Sequence, residues 1–130
     1  MEPVKEAFWL GEDWRKANLR YYPWYGRGFV QLTWEANYKR ADDELNLGGT
    51  LIADPDLALQ PGIAAKILRL GMEQGWFTRK ALKDYLPLSG RAGYDAYKEA
   101  RRIINGTDKW DVIAKEAQSF EAALLAGGWK

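Results

Sequence analysis

The chain contains no cysteine and no histidine. Without cysteine there is no disulfide framework, no thiol nucleophile and no thiolate metal site, a pattern that fits a protein made in a reducing cytoplasm. Without histidine, the side chain that ordinarily changes charge near neutral pH is missing. A general acid or base must then be a carboxylate, Lys or Tyr, and a metal site would have oxygen ligands only. Long apolar runs are also lacking: none approaches the roughly 20 residues of a membrane span. The opening stretch MEPVKEAFWLGEDW is acidic where a signal peptide is basic and then apolar. The expectation is therefore a cytoplasmic product without a signal peptide and without a membrane partner. Finally, neither sign of charge dominates, since 19 basic and 18 acidic residues leave a net charge of +1. No basic stripe is available to follow a phosphate backbone, which excludes nucleic acid as a partner.

What is abundant is aromatic. Seven Trp and seven Tyr occur in 130 residues, and these are the side chains that can show a ligand an apolar face and a polar edge. The densest stretch is residues 21–38, YYPWYGRGFVQLTWEANY. Flat rings there accompany Gln31, Thr33 and Asn37, whose uncharged groups donate to or accept from hydroxyl and N-acetyl groups. That combination suggests a sugar-binding cleft, while the plainer reading is that the rings fill a small core. Gly26 and Gly28 flank Arg27, so the backbone can take positive φ or approach a ligand closely. The triplet reads either as a tight structural turn or as a ligand-facing one.

A chain of this length fits a single domain, residues 1–130, able to bury roughly two thirds of the surface its unfolded form exposes. Helix signals dominate after residue 33. Thr33 is placed to cap a helix to about Leu45, which the NLGGT turn at residues 46–50 ends. Asp54 and Pro55 start a short turn through Leu59, and Pro61 opens a longer helix ending near Gly75, with Ile63, Ile67, Leu70 and Met72 on one face. Thr78 is expected to cap a short helix to Tyr85, and residues 87–93, PLSGRAG, read as a loop. A further helix from about Tyr94 carries Tyr97, Arg101 and Ile104 and stops at Asn105 and Gly106. The last begins after Thr107 or Asp108, carries the stripe Trp110, Ile113, Ala117, Phe120 and Leu124, and closes at Gly127 and Gly128. The stripe reads as core. The only extended candidate is residues 28–32, so the fold class is mainly α.

With His and Cys absent, catalysis would start from carboxylates, and glycoside hydrolysis is the main reaction class run on two of them. Near the aromatic segment the acidic candidates are Glu2, Glu6, Glu12, Asp13 and Glu35. Most such groups are solvated surface charges. Glu6 is distinguished by Ala7, Phe8 and Trp9 directly after it, whereas Glu35 falls on the first turn of its helix, where a negative charge suits the helix dipole and faces solvent.

The run from Tyr25 through Gly26, Arg27, Gly28, Phe29, Val30, Gln31, Leu32 and Thr33, with Asn37 and Tyr38, resembles the signature of glycoside hydrolase family 19, the chitinases and related phage endolysins. Later segments agree in order: Asp54, Pro55 and Leu57; Gly75, Trp76, Phe77 and Thr78; and Arg101, Arg102, Ile103, Ile104, Asn105 and Gly106. The resemblance covers nearly the whole chain and is nearest to the compact, cysteine-free endolysin branch. It implies a lysozyme-like fold with a cleft for β-1,4-linked N-acetylhexosamine polymers, chitin or the peptidoglycan glycan strand, worked by inverting hydrolysis without a cofactor or metal. By the same resemblance Glu6 matches the general base and Thr33 the residue that helps hold the attacking water. Gln31, Asn37 and Asn105 fall on sugar-binding positions, and Tyr25 lies beside the cleft. Thr33 as a helix cap and Asn105 as a C-cap are the structural alternatives.

One departure stands against these agreements. The family's general acid lies in a His, Glu motif on a helix before the base, which would fall upstream of Met1, and this chain has no His. Glu2 or Glu12 could substitute, although neither matches the family position. Three readings follow: an endolysin-type hydrolase lacking its N-terminal part, a non-catalytic glycan-binding domain, or an interaction protein built on the same scaffold. Loss of the N-terminal helix would expose apolar surface around Phe8 and Trp9 and favour self-association or a partner. If the protein is an endolysin, the resemblance implies that it reaches the cell wall by holin-type release.

Overall fold

The computed structural model describes residues 2–86, 92–105 and 109–128, apart from the side chains of Asn105 and Trp110. The chain is mainly helical, in the order β1 (Val4–Lys5), α1 (Glu12–Asn18), β2 (Arg27–Gly28), α2 (Glu35–Glu44), α3 (Thr50–Ala53), a 3-10 helix (Pro55–Leu59), α4 (Pro61–Gln74), a 3-10 turn (Leu82–Asp84), α5 (Gly93–Ala100), α6 (Arg102–Asn105) and α7 (Trp110–Ala126). It gathers into two compact units, Met1–Arg69 and Leu70–Lys130. Among the described residues no helix is long and apolar enough to cross a membrane.

In the first unit β1 and β2 pair antiparallel, with Val4 opposite Gly28 and Lys5 opposite Arg27. The extended segment expected at residues 28–32 is instead a tight loop, closed where Arg27 and Leu32 exchange backbone hydrogen bonds of 3.2 and 2.9 Å. Gly28 has φ +87, and a Cβ there would lie 3.0 Å from the Ala58 carbonyl, so β2 packs on the 3-10 helix only because this residue has no side chain. The Asp54 side chain accepts from the Asp56 N–H with Pro55 at the first helical position, as the sequence predicts for this start. Asp42, 4% exposed, turns both carboxylate oxygens on the glycine turn that follows α2. They accept from the Gly49 and Leu51 amides at 2.8 and 3.0 Å, which seats α3. Tyr25, Leu32, Tyr38, Ala41, Leu51, Ala58, Ala64 and Ile67 form the core of this unit. Tyr25 and Tyr38 are its largest rings, each burying about 150–250 Å².

The second unit is built on α5 packed against α7, with Ala81, Ile103 and Ala114 buried. Gly75 ends α4 at φ 71 and Gly128 follows α7 at φ 96, both as expected of glycine C-caps. The helix expected from Tyr94 through Ile104 is divided into α5 and α6 at Arg101, where the bonds tighten to three-residue spacing: the Arg101 N–H donates to the Lys98 carbonyl at 3.4 Å and the Ile104 N–H to the Arg101 carbonyl at 3.2 Å. The predicted loop at 87–93 lies outside the described residues except for its end, where Gly93 opens α5.

Further expectations need correction. Thr33 does not cap α2: its hydroxyl donates back to the Gln31 carbonyl at 2.8 Å, and the cap position falls on Trp34, which makes no side-chain capping bond. Thr78 caps nothing either, because its hydroxyl is turned to the Arg102 and Ile103 carbonyls at 2.6 and 2.8 Å. The stripe on α7 is core only in part. Ile113 and Ala117 are half-buried, yet Phe120 is 72% and Leu124 54% exposed; on the distal half of the helix it is Glu121, off the stripe, that meets another segment, accepting from the Ala92 N–H at 3.1 Å.

Candidate functional site

Glu6 follows β1 directly, and the pairing of β1 with β2 carries it to the glycine turn. Its N–H donates to the Gly26 carbonyl at 2.7 Å, and the Gly26 N–H donates to the Glu6 carboxylate Oε2 at 2.8 Å. The other carboxylate oxygen, Oε1, accepts from the Tyr21 hydroxyl at 2.6 Å. Both oxygens of a half-buried carboxylate are thus held in fixed directions by one backbone and one phenolic donor. A Cβ on Gly26 would sit 2.8 Å from Gln31 Oε1 and 3.3 Å from Glu6 Oε2, so the amide and the carboxylate converge over this glycine. The first half of the triplet therefore faces the candidate site, and the second half is structural.

Gln31, Thr33 and Asn37 form a ladder of local bonds. The Asn37 amide donates to the Thr33 carbonyl at 2.8 Å and the Thr33 hydroxyl to the Gln31 carbonyl. The Gln31 amide donates to the Val4 and Gly28 carbonyls at 2.9 and 3.0 Å. Donors point inward, which leaves the oxygens of Gln31 and Asn37, both exposed residues, and the lone pairs of Thr33 as acceptors.

Beneath this surface lies a charged support that the sequence reading missed. Arg15 of α1, 4% exposed, donates through Nε to the Glu6 carbonyl at 2.9 Å and through Nη2 to the Ala7 carbonyl at 3.0 Å. These bonds pin the turn that carries Glu6. No periodic pattern marks an arginine in that role. Arg27 is equally buried; its guanidinium lies 3.7 Å from the centroid of the Tyr25 ring and donates to Asp56, to the Pro23 carbonyl and to the Tyr38 hydroxyl. Tyr25 differs from its expected place beside the cleft. It has no exposed surface, its hydroxyl donates to Glu12 at 2.6 Å, and its ring supports the arginines from within. Burial, with the hydrogen bond to Glu12, raises its pKa.

Glu12 is the carboxylate nearest in role to a substitute acid, and its surroundings argue against that role. Burial raises its pKa, but the hydrogen bond from Tyr25 and the charges of Lys5 and Arg15 outweigh this and hold it below the ordinary value. A proton donor at neutral pH needs the opposite shift. Glu2 is exposed, and Glu35 sits on the first turn of α2 in an exposed ion pair with Lys39 at 3.0 Å, as expected. The Asn105 side chain lies outside the described residues. Among those residues no group of three or more acidic side chains is placed to hold a metal ion.

Backbone strain gathers around the same surface. Ala7, Gln31 and Trp34 have φ of 49, 54 and 75. For residues other than glycine such conformations cost about 1–3 kcal/mol each and persist where the surroundings over-determine them. Two concavities among the described residues lie elsewhere: one of about 550 Å³ is lined by Lys39, Asp42, Asp43, Asn46, Gly48, Gly49 and Ile52. Another of about 350 Å³, within the second unit, is lined largely by apolar side chains such as Met72, Leu86 and Ile113. Neither includes the anchored carboxylate or the amide ladder, and the candidate site at Glu6 is chosen for its convergent polar groups. The chain matches no family model, no curated protein and no solved structure.

Proposed function

We propose that this chain presents the water-activating half of an inverting glycoside hydrolase site, on a lysozyme-like scaffold, for β-1,4-linked N-acetylhexosamine polymers such as chitin or the peptidoglycan glycan strand. The observation that carries the reading is Glu6, with one carboxylate oxygen on the Tyr21 hydroxyl and the other on the Gly26 amide, beside the Gln31 oxygen. In inverting hydrolysis a carboxylate takes the proton of a water as that water attacks the anomeric carbon, while a second carboxyl, roughly 6.5–9.5 Å away, protonates the departing oxygen. Glu6 is the base in this scheme. Thr33, whose own proton is committed to the Gln31 carbonyl, accepts a hydrogen bond from the attacking water. The acceptors of Gln31 and Asn37 receive the hydroxyl and N-acetyl N–H donors of the sugar.

A second reading, glycan binding without turnover, is favoured by Glu12, the neighbouring carboxylate, which its partners hold ionised. Reducing ends released from N-acetylglucosamine oligomers or peptidoglycan separate the two. Turnover that falls about 10²- to 10⁴-fold in Glu6→Gln supports the base assignment. Turnover unchanged in that variant shows the assignment to be wrong, and binding without cleavage by the parent chain selects the second reading.

A further inference from the structure

We propose that Trp34 is a stacking platform for a pyranose ring, supplying the apolar half of sugar recognition next to the Glu6 carboxylate. The inference rests on the glycan reading above and adds a binding residue to it. Trp34 has φ 75 and ψ 140, a backbone region that suits glycine and is an outlier for a bulky side chain. Strain of this kind persists where the surroundings over-determine it, and here it is kept at a residue whose side chain is 46% exposed. The backbone alone accounts for the turn: its N–H donates to the Trp24 carbonyl at 2.8 Å, and its own carbonyl accepts from the Asn37 and Tyr38 amides at 3.1 and 3.2 Å. Glycine would make all three bonds without the clash. What the tryptophan adds is a ring at the surface.

The place of that ring matches a sugar bound at Glu6. Its centroid is 4.9 Å from that of Tyr21, and the Tyr21 hydroxyl is the group that holds the Glu6 carboxylate. Platform, phenol and carboxylate form one continuous series, with Thr33 adjacent in sequence and the Asn37 amide one turn further on. The guanidinium of Arg20 lies 5.4 Å from the Trp34 centroid, so the ring already meets a cation, and a cationic ligand would be repelled. A neutral pyranose escapes that repulsion: its C–H face lies on the part of the indole that Arg20 and Tyr21 leave exposed, while its hydroxyl and N-acetyl groups reach the acceptors of Gln31 and Asn37.

The test is a titration of the β-1,4-linked N-acetylglucosamine tetramer into the parent chain, Trp34→Gly and Trp34→Phe, with thermal unfolding of each. The inference predicts that Trp34→Gly melts no lower than the parent but binds the tetramer about tenfold more weakly, and that Trp34→Phe, which keeps a flat ring, retains most of the affinity. If the parent binds and Trp34→Gly binds as tightly, the platform is overturned while the glycan reading stands. If Trp34→Phe loses as much affinity as Trp34→Gly, a ring face is not what the ligand uses. A Trp34→Gly chain that fails to fold overturns the premise that the ring is not needed for the turn. A parent chain that binds no glycan overturns the function itself.

Discussion

Replacing Arg27 by Met removes the guanidinium but keeps an unbranched stem, and the contacts of Arg27 allow the cost to be divided. The Tyr38 hydroxyl loses a donor at 2.9 Å in the interior, and the Pro23 carbonyl loses one at 2.8 Å in a part-buried bond. Leaving a buried group unsatisfied costs about 1–3 kcal/mol, at the low end here, because the Pro23 carbonyl is only part-buried and the Tyr38 hydroxyl still gives its own proton to the Tyr25 carbonyl at 2.6 Å. Loss of the cation from the face of Tyr25 adds about 1–2 kcal/mol. The ion pair with Asp56 adds little, because that side chain is 48% exposed and keeps Lys5 at 3.0 Å. A pair with one partner this exposed contributes about 1 kcal/mol at most. The expectation is a loss of about 4 kcal/mol for Arg27→Met and about 1 kcal/mol or less for Asp56→Asn. Denaturant unfolding followed by tryptophan fluorescence and by circular dichroism measures both. Equal losses for the two variants would refute the reasoning, since the ion pair, and not the Pro23 carbonyl, the Tyr38 hydroxyl and the Tyr25 ring, would then hold the turn.

Tyr38 makes stability depend on alkaline pH. Burial, only partly opposed by Arg27, pushes its pKa up to about 12 from the ordinary value of 10.0. The unfolded chain releases this proton first, so the contribution of Tyr38 is intact below about pH 10 and is lost as the pH rises toward about 12, a change of about 3 kcal/mol. Unfolding midpoints that stay flat across that window would contradict the assignment. In the second unit, Ile103→Ala, at a residue 1% exposed, is expected to cost about 2–4 kcal/mol. Phe120→Ser, at 72% exposure, is expected to change stability by no more than about 0.5 kcal/mol, and chemical denaturation separates the two. Phe8 and Trp9 form an edge-to-face pair at 5.2 Å and are 66% and 72% exposed, so we expect the parent chain to self-associate at high concentration and Phe8→Ser/Trp9→Ser to do so less. Sedimentation showing monomers of both at all concentrations would rule this out.

Much of the helical layout was legible because punctuation residues carry their own physics. Asp54, Pro55, Pro61, Gly75 and Gly127 mark starts and stops through cap hydrogen bonds, a fixed φ or freedom from a Cβ. The two-residue strands β1 and β2 left no alternation to read, so the sequence showed neither partner of the pairing that brings Glu6 to Gly26, and the segment expected to be extended, residues 28–32, closes into a loop. Thr33 and Thr78 look alike as potential caps; only the carbonyls that happen to lie nearby decide where each hydroxyl turns. The stripe on α7 was visible, but periodicity reports a face and not what covers it, which is why Phe120 and Leu124 were assigned to the core. At the candidate site the resemblance nominated Glu6, Gln31, Thr33 and Asn37 in order. Arg15, Tyr21 and the strained Trp34 were not nominated, since their roles depend on contacts between segments far apart in sequence.

The central proposal is that a β-1,4-linked N-acetylhexosamine chain binds at Glu6, and the Gly26 amide is its most direct reporter because that N–H is bonded to the Glu6 carboxylate. Titrating the N-acetylglucosamine tetramer into isotope-labelled protein, with backbone and side-chain amides followed by NMR, measures it. The account predicts saturable shifts at the Gly26 amide and at the side-chain amides of Gln31 and Asn37, with the shift at Gly26 reduced in Glu6→Gln. Saturation with shifts confined to the concavity around Asp42 and Gly49, or no shift at any residue, would contradict it.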